Sequence, residues 1–227
     1  MNLAYLMQAN IPKTIFLNFK LFPFKTAIKM PLIIGKYSSM KVKRGSICIE
    51  GRVKSGMITF GVGGSPDMMK YESRKNVFFV SDGGKVVFKG RAHFATHTSV
   101  FVSASTMEFG NNFSCNVGCR FSSVAGISFG SDCLVGGACV VRDSDGHKIF
   151  DCDDSFVATR EHASCLPVSI GDHVWLANNS SVLKGVSIDS NNVVAYGSVV
   201  VKSVEGNYQI VGGYPAKVVK TNIIWKR

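Results

Sequence analysis

Acidic residues are missing from the first 49 positions, which carry eight Lys or Arg. The rest of the chain holds 18 basic and 15 acidic side chains, so most of the formal net charge of +11 sits at one end. Proline is scarce, at 6 of 227 residues against 23 glycines; this suits many tight corners and excludes collagen-like or Pro-rich disordered character. No apolar run approaches the roughly 18 residues of a membrane span. The N-terminus lacks the pattern of a secretory signal, and a cytoplasmic location is expected. The seven cysteines are odd in number and include no CxxC pair, which speaks for a reducing compartment and against a disulfide framework or metal ribbon. Between residues 170 and 200 the apolar residues follow neither the spacing of three or four that a helix wants nor the alternation of a half-buried strand.

In their place stands a period of six. Ile170, Leu176, Val182, Ile188, Val194 and Val200 fall six apart without a break. The residue after each is mostly small or acidic (Gly171, Ala177, Asp189, Ala195), and the fifth position is small or branched (Val174, Ser180, Val186, Ser198). Such hexads fit a parallel β-helix of triangular section, with one hexad per flat face, three per coil, and the aliphatic residue pointing inward. The register recurs in Phe88, Phe94 and Val100, in Phe109, Cys115 and Phe121, and in Phe129, Val135 and Val141. It sends Cys115, Cys119, Cys133 and Cys139 into the interior, where a free thiol packs as a small apolar group.

The fold class is therefore all-β, in three regions. Residues 1–85 form a basic, apolar lead-in, a β-rich cap of short strands merging into the first coils. Residues 86–205 form the hexapeptide-repeat solenoid, and 206–227 a short C-terminal tail. Residues 142–169 admit no hexad and are expected as a polar loop expelled from the prism, where binding and chemistry usually sit. The lead-in is expected to cap the open end of the solenoid, as terminal repeats must. Its charge over 1–49 also suits peripheral contact with an anionic membrane at the inner face. No recognition motif for nucleic acid accompanies that charge.

Three segments on this register, 143–149 (DSDGHKI), 170–177 (IGDHVWLA) and 212–217 (GGYPAK), resemble the hexapeptide-repeat acyltransferases, in the branch that O-acetylates sugars. The resemblance covers roughly residues 86–221. It implies a left-handed prism, a homotrimer with sites in clefts between neighbouring prisms, and acetyl-CoA as donor, with no metal. It further implies a saccharide acceptor (free, lipid-linked or polymeric) in surface glycan biosynthesis. An N-acetyltransferase acting on an amino sugar or its nucleotide derivative shares fold and donor and stays open as the alternative. A catalytically silent scaffold is disfavoured by the intact motifs.

His147 is the expected general base. Imidazole is largely neutral near pH 7 and competent to take a hydroxyl proton, and this one stands in the expelled loop at the family's histidine position. Asp143 or Asp145 beside it is expected to orient the ring, with Asp145 counted in the catalytic set. Trp175, last in its hexad, is expected at a corner facing outward, where its N–H can donate and its face can stack on a sugar. The resemblance implies acceptor binding at Asn116, with His162 contributing from the loop. It implies donor binding at Asn178, Tyr196, Val201, Lys202, Lys217 and Lys220, the lysines meeting CoA phosphates. Asn178 and Tyr196 depart from the small residues usual at their places. His93 and His97 do not supply the three histidines of a catalytic zinc site, and no base is paired with Cys152 or Cys165 to make either a nucleophile.

Overall fold

The computed structural model describes residues 7–64 and 75–227; the start of the basic lead-in, residues 1–6, lies outside them. Three parallel sheets make the walls of a prism. Face one stacks Leu32–Ile34, Ile58–Phe60, Ala92–Phe94, Phe113–Cys115, Leu134–Val135, Trp175–Leu176, Val193–Val194 and Ile210–Gly213. Face two stacks Ser38–Lys41, Asn76–Ser81, Ser99–Ser103, Arg120–Ser123, Val140–Arg142, Ser181–Val182 and Val199–Val200. Face three stacks Ile47–Ile49, Lys85–Phe88, Thr106–Phe109, Ile127–Phe129, Val168–Ile170 and Ser187–Ile188. Along the coils, successive wall strands belong to successive faces, so the chain circles the prism once per coil: a left-handed parallel β-helix.

The hexad residues fill the interior as their period demands. Phe94, Val100, Phe109, Phe121, Val135, Val141, Leu176, Val182 and Val194 are all buried. Phe88, Phe109 and Phe129 stack up the inner side of face three, with centroids 5.5 and 5.6 Å apart. Phe121 meets Phe109 and Phe129 edge-on, the favoured arrangement of two quadrupoles. Where face three turns into face one, a Cβ on Gly110 would lie 2.3 Å from the carbonyl of Gly130, and one on Gly130 2.6 Å from the backbone nitrogen of Asp172. The glycines that follow Phe109 and Phe129 are thus a steric demand of this closely stacked corner. All four interior cysteines are buried. Burial pushes the Cys133 thiol up to about 11, and the Cys119 side chain beside it, with burial, raises that of Cys139.

Two expectations about the lead-in change. Ladder pairing reaches back to Leu32, so coils already form well inside 1–85. Instead of short strands, the cap is a helix, α1 (Ile11–Leu21), followed by one turn, α2 (Phe24–Ala27). Asn10 caps α1 by accepting the Lys13 N–H at 3.0 Å, and Pro12 occupies its first turn, where no N–H is needed. Its inner side does a strand's work. Asn18 Nδ2 donates to Leu32 O at 2.8 Å, Asn18 Oδ1 accepts from Leu32 N, and Thr14 Oγ1 accepts from Ile34 N. Two side chains one helical turn apart thereby satisfy the backbone edge that the first coil would otherwise leave bare.

Candidate active site

The expelled loop leaves the corner between faces two and three after Arg142 and is anchored at its neck. Asp143 is fully buried and turned inward; its carboxylate accepts from Ser123 Oγ (2.8 Å) and from the N–H groups of Val124, Ala125 and Gly126 (2.9, 2.9 and 2.7 Å). Leu166 N donates to Asp143 O and Asp145 N to Ser164 O, zipping the two strands of the neck. Lys184, from the next coil, forms an ion pair with Asp145 and donates to Ala163 O. Beyond the neck, Phe150–Cys152 and Ala158–Glu161 pair as an antiparallel hairpin. Its surface carries the pairs Lys148–Glu161 at 3.0 Å and His162–Asp151 at 2.7 Å.

His147 lies on the outer flap between Gly146 and Lys148, exposed, with no hydrogen bond among the described residues. Neither neighbouring carboxylate orients its ring. Asp143 is spent on the corner, and Asp145 on Lys184. The expectation that one of them would position the imidazole is corrected. Both carboxylates are taken up by groups of the coils, while His147 is exposed on the flap.

The other expected residues gather elsewhere. Asn178 and Tyr196 stack on successive coils along the corner between faces one and two, and Asn116 lies at the same corner one register place earlier, in line with Ala177 and Ala195. Asn178 Oδ1 accepts from Gly137 N at 2.9 Å, so this amide ties adjacent coils. Tyr196 is 70% exposed, its hydroxyl accepting from Asn179 Nδ2 at 2.6 Å. Asn116 Oδ1 accepts from Val117 N at 2.8 Å. Val201 and Lys202 stand on the flap's own corner, both exposed, while His162 belongs to the flap itself. Lys217 and Lys220 project from the strand Ala216–Lys220, which folds back antiparallel on Ile210–Gly213 through the Tyr214–Pro215 turn.

Trp175 is outward-facing but sits on the flat of face one, in register with Leu134 and Val193, and not at a corner. Nor is its packing left wholly to another molecule. The C-terminal tail returns along face one and lays Trp225 6.0 Å from the Trp175 ring; Trp225 stacks on His173 at 4.1 Å and 7° and donates Nε1–H to His173 O. Arg227 then donates to Asn112 O, Ser114 Oγ and Cys133 O. Sequence reasoning missed this strap, although a lone Trp–Lys–Arg in a polar tail was its signal. Beside it, Lys54, Arg91, His93 and Arg227 line a cavity of about 580 Å³. There Thr59 Oγ1 lies 2.6 Å from His93 Nδ1, and burial, aided by the Arg227 charge, lowers the His93 imidazole to about 4.

His147 and its flap occupy one corner of the prism; Asn116, Asn178 and Tyr196 occupy another, with face two between them.

No family model matches the chain. Among curated proteins, the polysialic acid O-acetyltransferase of Escherichia coli O1:K1 / APEC is 36% identical over 102 residues, which is 44% of this chain and 31% of that protein. The polysialic acid O-acetyltransferase of Neisseria meningitidis is 39% identical over 101 residues, 44% of this chain and 45% of that protein. The matches thus span less than half the length of either relative. Among solved structures, the polySia specific acetyltransferase NeuO superposes with a TM-score of 0.52 at 22% identity, over 87% of this chain and 89% of the other, which bears on the fold.

Proposed function

From the chain's membership of the hexapeptide-repeat acyltransferases, we propose that it transfers an acetyl group from acetyl-CoA to a hydroxyl of a surface-glycan sugar, in a site completed between neighbouring copies of a homotrimer. The observation that carries this reading is the separation of an exposed, unpaired imidazole from the column that would bind donor and acceptor. Two neighbouring prisms bring one copy's flap to the other's column; one prism alone does not.

In that cleft His147 accepts the proton of the sugar hydroxyl as its oxygen attacks the thioester carbonyl. A tetrahedral oxyanion forms, held by backbone N–H groups and the Trp175 indole N–H. The carbon–sulfur bond then breaks, and the leaving thiolate takes the proton back from the imidazolium. The corner column, with Tyr196 and Asn178 on successive coils, receives the pantetheine arm, and Lys202, Lys217 and Lys220 meet the phosphates. Asn116 and His162 hold the acceptor: the amide, with one donor and one acceptor group, and the two ring nitrogens suit sugar hydroxyls.

His147→Ala lowers turnover about a hundredfold or more, the usual contribution of a general base. Its circular dichroism and its mass by light scattering stay those of the parent trimer. Turnover within threefold of the parent, or a monomeric parent, overturns the reading. Acetyl-CoA offered with hydroxyl-only and amino-sugar acceptors separates O- from N-transfer.

A further inference from the structure

We propose that the N-terminal cap is a docking surface for an anionic lipid membrane, on which the prism stands end-on. The side of α1 that meets the first coil buries Thr14, Leu17, Asn18 and Leu21. The opposite side, where a terminal cap needs polar residues to stay soluble, is apolar as well. Ile15 is 45% exposed, Phe16 62% and Phe19 43%; the patch continues through Phe24 (70%) and Ile28 (53%). Phe19 and Phe24 are in ring contact at 6.1 Å, so α1 and α2 present one surface. A helix that buries one side in the protein and presents Ile15, Phe16 and Phe19 on the other, with lysines between, suits a second apolar phase with a charged margin. At 11 residues α1 is too short to cross a bilayer, and no helix among the described residues is long and apolar enough to do so. The geometry is that of a segment lying in the interface.

Charge identifies the occupant. Lys20, Lys25 and Lys29 are exposed at the margin of the patch, and none forms an ion pair among the described residues. The Lys20 ammonium lies 5.9 Å from the Phe16 ring centroid, its stem extending the apolar surface. With no Asp or Glu in the first 49 residues, a second copy docked cap to cap would set lysine against lysine with nothing to neutralise it. An anionic bilayer answers both features: phenyl rings enter the headgroup–acyl boundary while ammonium groups meet lipid phosphates. Because α1 closes the end of the coil stack, its outer side points away from all the coils, and docking leaves flap and corners free.

The test needs neither donor nor acceptor, so its outcome is independent of the acyl-transfer reading. The full chain is sedimented with phosphatidylcholine vesicles containing or lacking phosphatidylglycerol, at low and high salt. Binding is expected only with phosphatidylglycerol present, and weaker at high salt. At about fivefold per lysine, K20Q/K25Q/K29Q lowers the partition coefficient on the order of a hundredfold. F16S/F19S/F24S removes binding without lowering the melting temperature, since all three rings are exposed. Failure of the parent to sediment with anionic vesicles overturns the proposal, as does equal binding to neutral ones. A fall in the solution mass of the phenylalanine variant also overturns it, by assigning the patch to contact between copies.

Discussion

Asp143→Ala isolates what holds the flap to the prism. The substitution strands three backbone N–H groups and one hydroxyl inside a corner that excludes solvent, since the Asp143 side chain is fully buried. Hydrogen bonds to a charged acceptor contribute about 1.5–3 kcal/mol each. They do not sum, because the corner relaxes and water enters the space left by the carboxylate. Each buried donor left unsatisfied costs about 1–3 kcal/mol; with part of that recovered by relaxation, we take about 4 kcal/mol in all. For a domain of this size 1 kcal/mol moves the midpoint by about 2–4 °C, so the variant should melt roughly 8–16 °C below the parent by calorimetry. Asp143→Asn keeps the shape and one acceptor oxygen while pointing an NH₂ group at the remaining donors, and falls between the two. A midpoint within about 2 °C of the parent for the alanine variant would refute the argument. So would lost turnover with an unchanged midpoint, which would return Asp143 to the service of His147.

Other perturbations test neighbouring features. Lys184→Met cuts the tether to Asp145 and Ala163 O; residues 143–167 should then be cleaved several-fold faster in limited proteolysis while the coils resist. Burial holds the His93 imidazole at about 4, below the 6.5 of an unfolded chain, so the unfolded state takes up a proton between these values that the fold refuses. Stability is therefore full above pH 6.5 and lost as pH falls toward 4, by about 3 kcal/mol from this group; His93→Gln should flatten the urea-denaturation profile in that window, and an unchanged slope counts against it. Iodoacetamide should label Cys152 and Cys165 in the native protein and spare Cys115, Cys119, Cys133 and Cys139, all seven cysteines reacting in urea. Mass spectrometry of the native adducts decides this.

The coils were legible because an inward ladder asks the same thing of every turn. Leu176, Val182 and Val194 each need only be aliphatic and six residues from the next, a demand that survives translation into a bare string of letters. The helix Ile11–Leu21 answers a different demand. Thr14 and Asn18 are there to satisfy a strand edge, and nothing local in TIFLNFKLF reveals an edge 14 residues downstream. Its Asn10–Pro12 start was the available clue. Asp143 misled for a related reason: proximity along the chain suggested partnership with His147, whereas its real partners, Ser123 to Gly126, belong to the coil beneath. Trp175 was rightly turned outward, but its neighbour Trp225 lies 50 residues on and was invisible to periodicity.

A pile of identical rungs has no intrinsic stopping point. Here both edges of face one are covered, one by the Thr14 and Asn18 side chains, the other by a reversed strand bearing Lys217 and Lys220. Length is consequently fixed by the stoppers and not by the middle. An additional turn spliced between existing ones leaves both plugs seated, while deletion of either exposes a template onto which further molecules can add, turning a finite spool into the seed of a fibre.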